Sequence, residues 1–243
     1  MPRYRLTIEY AGTRYSGWQI QKNAKTVQGE LHRALHTALG QAPFETYGSG
    51  RTDAGVHALA QVAHADIGPT LPPVTLVTRV NDALPADINV IAAERVSPRF
   101  HARHSAVART YLYQIARRRT AFAKPYVWWV REDLDVERMR AAARGLTGFG
   151  DFRAFTDADP EEKSTRVLVD AVTVEEEGAL MLIRVTGSHF LWKMVRRIVG
   201  VLVEVGKGRL KPDEVGRLLV HDSGEVAKLT APAAGLFLER VDY

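Results

Sequence analysis

The chain has 243 residues, of which 46% are hydrophobic and 25% charged, with a formal net charge of +5 and no cysteine. That length and apolar content suffice for one or two buried cores, and the missing thiols exclude a disulfide framework and any thiolate metal site. The positive excess favours a polyanionic partner. No apolar run follows the basic start Met1-Pro2-Arg3-Tyr4, so no signal peptide is expected. The longest apolar candidate, Ile198 to Val205, is interrupted by Gly200 and Glu204 and is too short to span a bilayer. A cytoplasmic location, away from membranes, is the expectation.

Arg3 to Tyr10 alternates as a strand, with Tyr4, Leu6 and Ile8 on one side and Arg5, Thr7 and Glu9 on the other. A polar loop from Ala11 to Gln19 follows. Thr26 caps a helix reaching about Leu39, with Val27, Leu31, Leu35 and Leu39 at helical spacing. Phe44 to Tyr47 and Leu59 to Ala65 read as short strands around a glycine-rich turn. A second helix begins near Pro73, a favourable first-turn position, and ends before Pro85. Ile88 to Val96 is the next strand.

This order of strand, helix, strand, strand, helix, strand predicts a split βαβ unit. The second half repeats it loosely. Arg109 to Arg117, Val167 to Val174, Leu180 to Val185 and Leu236 to Val241 are strands; Val136 to Leu146, Phe190 to Val205 and Pro212 to Val220 are helices. The fold class is therefore α+β, with two mainly antiparallel sheets side by side and helices packed on them. The expected domains are 1–104 and 105–243, with the site in the cleft between them, since domain junctions favour binding sites.

Charge is unevenly placed. No Asp or Glu occurs from Arg95 to Arg131, a segment that holds eight Arg and one Lys interleaved with Phe100, Tyr111, Tyr113, Phe122, Tyr126, Trp128 and Trp129. Guanidinium groups neutralise phosphates and aromatic faces stack on unpaired bases, which predicts RNA binding; a solvated strand and loop with core aromatics is the alternative. The turn Gly48-Ser49-Gly50-Arg51-Thr52-Asp53-Ala54-Gly55-Val56-His57 crowds glycines, charges and hydroxyls between two strands. It matches neither a dinucleotide fingerprint nor a P-loop. Two readings stand for it, a chemical site or a tight hairpin turn with Asp53 bonding its own backbone. On the long helix Phe190, Met194, Ile198 and Leu202 form an apolar band, and Arg196 lies away from its centre, either solvated or facing a cleft. His57 with His64, and His101 with His104, lack the carboxylates a metal site needs, so no metal is expected.

Taken together, the motifs resemble those of the tRNA pseudouridine synthase family of the TruA type. The resemblance runs from Tyr10-Ala11-Gly12-Thr13-Arg14-Tyr15-Ser16-Gly17-Trp18-Gln19-Ile20-Gln21 through Thr26-Val27-Gln28 to Gly50-Arg51-Thr52-Asp53-Ala54-Gly55-Val56-His57-Ala58, the family's catalytic signature. Asn81-Asp82-Ala83-Leu84-Pro85, Phe100-His101-Ala102-Arg103, Arg109-Thr110-Tyr111-Leu112-Tyr113, Phe190 through Arg196 and Ala231-Pro232-Ala233-Ala234-Gly235-Leu236 follow in order. The resemblance implies two α/β domains, a basic cleft, and a homodimer holding one tRNA across both subunits. It implies conversion of uridine to pseudouridine in the anticodon stem-loop, around tRNA positions 38 to 40, without a cofactor. By the same carry-over Asp53 is the catalytic carboxylate, Arg51 helps extrude the target nucleotide, Tyr111 stacks on the base, Arg196 pairs with Asp53 and Leu236 lines the pocket. Where the family usually has Asn before a small residue ahead of the Phe-Leu pair, this sequence has Ser188-His189.

The chemistry suits these residues. The reaction breaks the C1′–N1 bond, turns the ring and rejoins it through C5, so no atom is added. The base must first leave its stack, at about a few kcal/mol. Desolvation raises the pKa of a carboxylate such as Asp53, and a paired Arg opposes that shift. Two other readings compete: a non-catalytic tRNA-binding or RNA-chaperone module, and a metal-dependent nuclease, which lacks clustered carboxylates in the basic segment.

Overall fold

The computed structural model describes residues 1–157, 164–219 and 224–243. In chain order the elements are β1 (Arg3–Tyr10), α1 (Val27–Leu39), β2 (Phe44–Gly48), β3 (His57–Ile67), α2 (Pro73–Ala83), β4 (Ile88–Val96), β5 (Ala108–Ala116), β6 (Trp128–Trp129), α3 (Val136–Arg144), β7 (Gly148–Asp151), β8 (Arg166–Glu177), β9 (Leu180–Gly187), α4 (Met194–Gly206), α5 (Val215–Leu218), α6 (Glu225–Lys228) and β10 (Leu236–Asp242). They fall into two compact units, Met1–Val107 with Phe237–Tyr243, and Ala108–Leu236.

In the first unit the predicted split βαβ arrangement is realised. β1 lies between β4 and β3, and β2 pairs with the far half of β3, all antiparallel. The alternation in β1 buries Tyr4, Leu6 and Ile8 completely or nearly so, because successive strand side chains point to opposite faces. Thr26 Oγ1 accepts a hydrogen bond from Gly29 N at 3.2 Å and starts α1, whose Val27, Leu31 and Leu35 are buried. α1 packs on α2, and α2 on β4. The last strand also belongs here: Phe237 and Leu238 of β10 pair in parallel with His57 and Ala58 of β3. Element order had placed that strand in the second half.

The second unit repeats the pairing scheme in part. β5 pairs antiparallel with β9, β9 with β8, and β8 with the short edge strand β7. β6 runs parallel to β5, with Ile115 opposite Trp128. α3 packs on α4 and β8. α4 is apolar almost all round and is buried accordingly. It starts at Met194 rather than at Phe190 as its periodicity suggested, because Lys193 adopts φ 63 and breaks the helical path. The expected helix from Pro212 to Val220 is a 3-10 turn at Pro212–Glu214 followed by α5; Val220 itself lies outside the described residues.

Candidate active site

The glycine-rich turn between β2 and β3 is held from both sides by backbone and side-chain hydrogen bonds. Ser49 N donates to Val62 O at 2.7 Å, Ser49 Oγ donates to Gln61 Oε1 at 2.6 Å, and Gln61 Nε2 donates to Gly50 O at 3.2 Å. Beyond Arg51 the loop after β1 takes over. Trp18 N donates to Thr52 O at 3.1 Å, Gly55 N to Tyr15 O at 3.3 Å, and the Thr52 hydroxyl meets Tyr10 Oη at 2.8 Å. Val56 N closes the turn on the backbone carbonyl of Asp53 at 3.1 Å. Thr52 is thereby buried, Asp53 half-buried and Arg51 exposed.

Two glycines make this fit possible. A Cβ on Gly12 would sit 1.8 Å from Val56 O, and Gly17 takes φ 92 with Thr52 O only 2.5 Å from where its Cβ would be. Such approach and such a φ are available to glycine alone at low cost. Gly12 N also donates to His57 Nδ1 at 3.0 Å, and the His57 ring stacks on Phe237 at 4.7 Å.

The supporting loop has its own anchor, which sequence reasoning missed. Asp87 accepts from Arg14 Nη2 at 2.7 Å and from Tyr15 Oη at 2.6 Å, while its backbone carbonyl accepts from Ala11 N at 2.9 Å. Burial pushes the Asp87 pKa upward, but the bonds from Tyr15 and Arg14 outweigh it and hold the carboxyl below its ordinary range. Nothing local marks Asp87, because its partners lie more than seventy residues away.

The other predicted site residues lie in the second unit. Tyr111 on β5 faces Val185 across the ladder, half-buried, with its ring edge-on to Phe190 at 5.3 Å. Its inward neighbour Tyr113 is buried and donates to Pro232 O at 2.8 Å. Arg196 is half-buried rather than solvated: its Nε donates to Ala231 O at 2.6 Å, and Ala231 N donates back to Arg196 O at 3.1 Å. Leu236 is buried directly after the 3-10 turn at Ala233–Gly235. At the departure from the family pattern, Ser188 O accepts from Arg109 Nη1 at 2.7 Å, and Ser188 Oγ lies 3.1 Å from His189 Nδ1.

A family model described as tRNA pseudouridine synthase matches residues 6–105 and 142–243. The chain belongs to that family. Its similarity to the curated members spans the whole molecule: 44% identity to tRNA pseudouridine synthase A of Rhodopseudomonas palustris, covering 100% of both chains. Identity is 44% to the Maricaulis maris protein of the same name, covering 100% of this chain and 98% of that one. It is 39% to tRNA pseudouridine synthase A 2 of Bacillus cereus, covering 100% of both. A chain in a crystal structure of a Cbf5-Nop10-Gar1 complex superposes with a TM-score of 0.32 at 11% identity, covering 82% of this chain and 54% of that one. The enzyme is thus an isomerase, a tRNA pseudouridine synthase, with tRNA as its substrate.

In this synthase the start of α4 is fixed by an ionic cluster that sequence reasoning also missed. Lys193 Nζ donates to Asp157 Oδ2 at 2.7 Å, and the buried Arg197 pairs with the other oxygen of the same carboxylate. Hydrogen bonds from Lys193 and Arg197 hold the Asp157 carboxyl below its usual range. Among the described residues, no group of three or more His, Asp or Glu side chains is arranged to hold a metal ion. No helix of the described residues is long and apolar enough to cross a membrane.

Proposed function

We propose that the synthase isomerises uridine in the anticodon stem-loop, around tRNA positions 38 to 40, after flipping the base from its stack, with Asp53 as the catalytic carboxylate. The supporting observation is the Arg51-Thr52-Asp53 turn, whose backbone is clamped on both sides while Asp53 stays half-exposed. A carboxylate that reacts with a nucleoside must be both held and reachable. Arg51, exposed beside it, helps extrude the nucleotide, and Tyr111 stacks on the base. Arg196 is the counter-charge of Asp53, and Leu236 lines the base pocket.

The atoms balance without a co-reactant. The C1′–N1 bond breaks and a C1′–C5 bond forms; the C5 hydrogen leaves as a proton and N1 gains one. Attack on C1′, attack on the base and removal of a ribose proton each use one ionised carboxylate. We further infer a homodimer that holds one tRNA across both subunits, working where its substrate is, in the cytoplasm.

The test uses unmodified tRNA carrying tritium at uracil C5, with no added metal or methyl donor. Wild type is expected to release tritium, and Asp53→Asn to release none while binding tRNA with affinity within a few-fold of wild type. Tight binding by wild type without release from any tRNA would sink the assignment and leave a binding module.

A further inference from the structure

The segment between β5 and α3 carries a surface that none of the roles above uses. Phe122 is 94% exposed, and Tyr126 and Trp129 are each 41% exposed. Arg118, Arg119, Lys124 and Arg131 are exposed around them. Large exposed rings concentrated in one short segment among exposed cations point to a contact surface.

Two of the neighbouring acids are already paired, while Asp133 lines the same cavity as Arg118. Glu176 pairs with Arg117 at 2.6 Å, and Glu132 pairs with Arg209 at 3.0 Å. Among the described residues no carboxylate pairs with Arg118, Arg119, Lys124 or Arg131. The segment therefore offers four cations with no ion-pair partner among the described residues, together with the exposed rings of Phe122 and Trp129. Arg119 lies over the Trp129 ring at 5.9 Å, the outer limit of a cation–π contact. That is near enough to extend a stack and loose enough to yield to a base.

Its position separates it from the reacting uridine. Trp129 pairs beside Ala116 on β5, five residues beyond Tyr111 on the same strand. Along the strand the two lie roughly 17 Å apart, and the odd offset sets Trp129 on the sheet face opposite Tyr111, whereas Trp128, level with Ile115, shares the face of Tyr111 and meets Tyr113 edge-on at 6.2 Å.

We propose that this patch is a second tRNA subsite, in which Trp129 and Phe122 stack on unpaired bases remote from the target uridine while Arg118, Arg119, Lys124 and Arg131 neutralise the flanking phosphates. The proposal rests on Tyr111 as the stacking residue of the reacting site. RNA fits better than a second copy of the chain, because a two-fold contact through the patch sets the same arginines against each other. Phosphates gain from those charges, and unpaired bases gain from exposed rings and guanidinium planes.

The experiment measures tritium release and filter binding with full-length tRNA over a range of salt, for wild type, Trp129→Ala, Trp129→Phe and the pair Arg118→Ser with Arg119→Ser. Trp129→Ala is expected to raise KM and Kd roughly tenfold, the loss of one base stack, with little of the loss in kcat. Trp129→Phe, which keeps a ring, is expected to stay within a few-fold of wild type. The double Arg variant is expected to lower the slope of log affinity against log salt by about 1.4 to 1.8. Unchanged KM and slope in folded variants would overturn the proposal. So would light scattering that shows the variants monomeric, with KM recovering at high enzyme concentration, since the patch then belongs to a second copy. Wild type that binds tRNA yet releases no tritium tells against the reaction instead, and the binding arms still report on the patch.

Discussion

Two residues show how strongly single positions are constrained around the turn. With Val56 O 1.8 Å from the Cβ position of Gly12, Gly12→Ala must displace either the loop or the Asp53 turn. It is expected to cost about 2 kcal/mol of stability and to lower kcat more than tRNA affinity, read by urea unfolding and by tritium release. His64 illustrates a different constraint. It is 1% exposed, its Nδ1 accepts from Ala102 N at 3.1 Å, and Tyr47 and His101 stack on or abut its ring at 5.1 and 4.7 Å. Burial, then the charges of Arg3 and His101, push its pKa down to about 4. The unfolded chain binds that proton near pH 6.5, so the neutral ring's contribution is intact above 6.5 and is lost as pH falls toward 4. Unfolding at pH 4.5 against pH 7 should show a loss on the order of 2 kcal/mol from this group. His64→Asn, which keeps an acceptor for Ala102 N but does not titrate there, should flatten the profile; an unchanged slope would refute the assignment.

At the scale of elements, α4 depends on a charge that its own periodicity argues against. Arg197 is 2% exposed inside an apolar helix, and the carboxylate of Asp157 is its ionic partner. Removing one member of such a pair strands a buried charge, whereas removing both restores an apolar contact. Asp157→Asn is expected to destabilise the protein by about 2–3 kcal/mol, and the double variant Asp157→Asn with Arg197→Met by less than the single, measured by chemical denaturation. Lys193 tests the helix start. Its φ of 63 is tolerated by glycine and opposed by a β-branched side chain. Lys193→Val should therefore lose more stability than Lys193→Gly, although both lose the bond to Asp157, and activity should follow because Arg196 lies in the first turn of the same helix.

At the scale of the molecule, the last strand ties the chain's end to its beginning. β10 pairs with the start of β3, Val107 N donates to Asp242 O at 2.8 Å, and Tyr243 Oη donates to Ala102 O at 2.7 Å. Deleting 237–243 is therefore expected to raise amide exchange in β3 and around Ala102 and Val107 in the first unit. Exchange in β8 and β9 should change far less. Equal exposure of both units would contradict the division of the fold described above.

Local sequence determined what local physics governs. The alternation in β1, the Thr26 cap of α1, the Pro73 start of α2 and the pairing of short strands around a glycine-rich turn all follow from neighbours within a few residues. The Arg51-Thr52-Asp53 turn was legible for the same reason, as was the basic, aromatic character of the stretch to Arg131, of which Phe122, Tyr126 and Trp129 are exposed while Tyr113 joins the core. Sequence did not reveal Asp87 beneath the loop of residues 11–19, the partner of buried Arg197, the late start of α4 or the return of β10 to β3. Each of these is a contact between positions tens of residues apart or a backbone angle imposed by such contacts. Periodicity reports which face of an element is apolar; only the packed chain decides what that face, and the charge beside it, will meet.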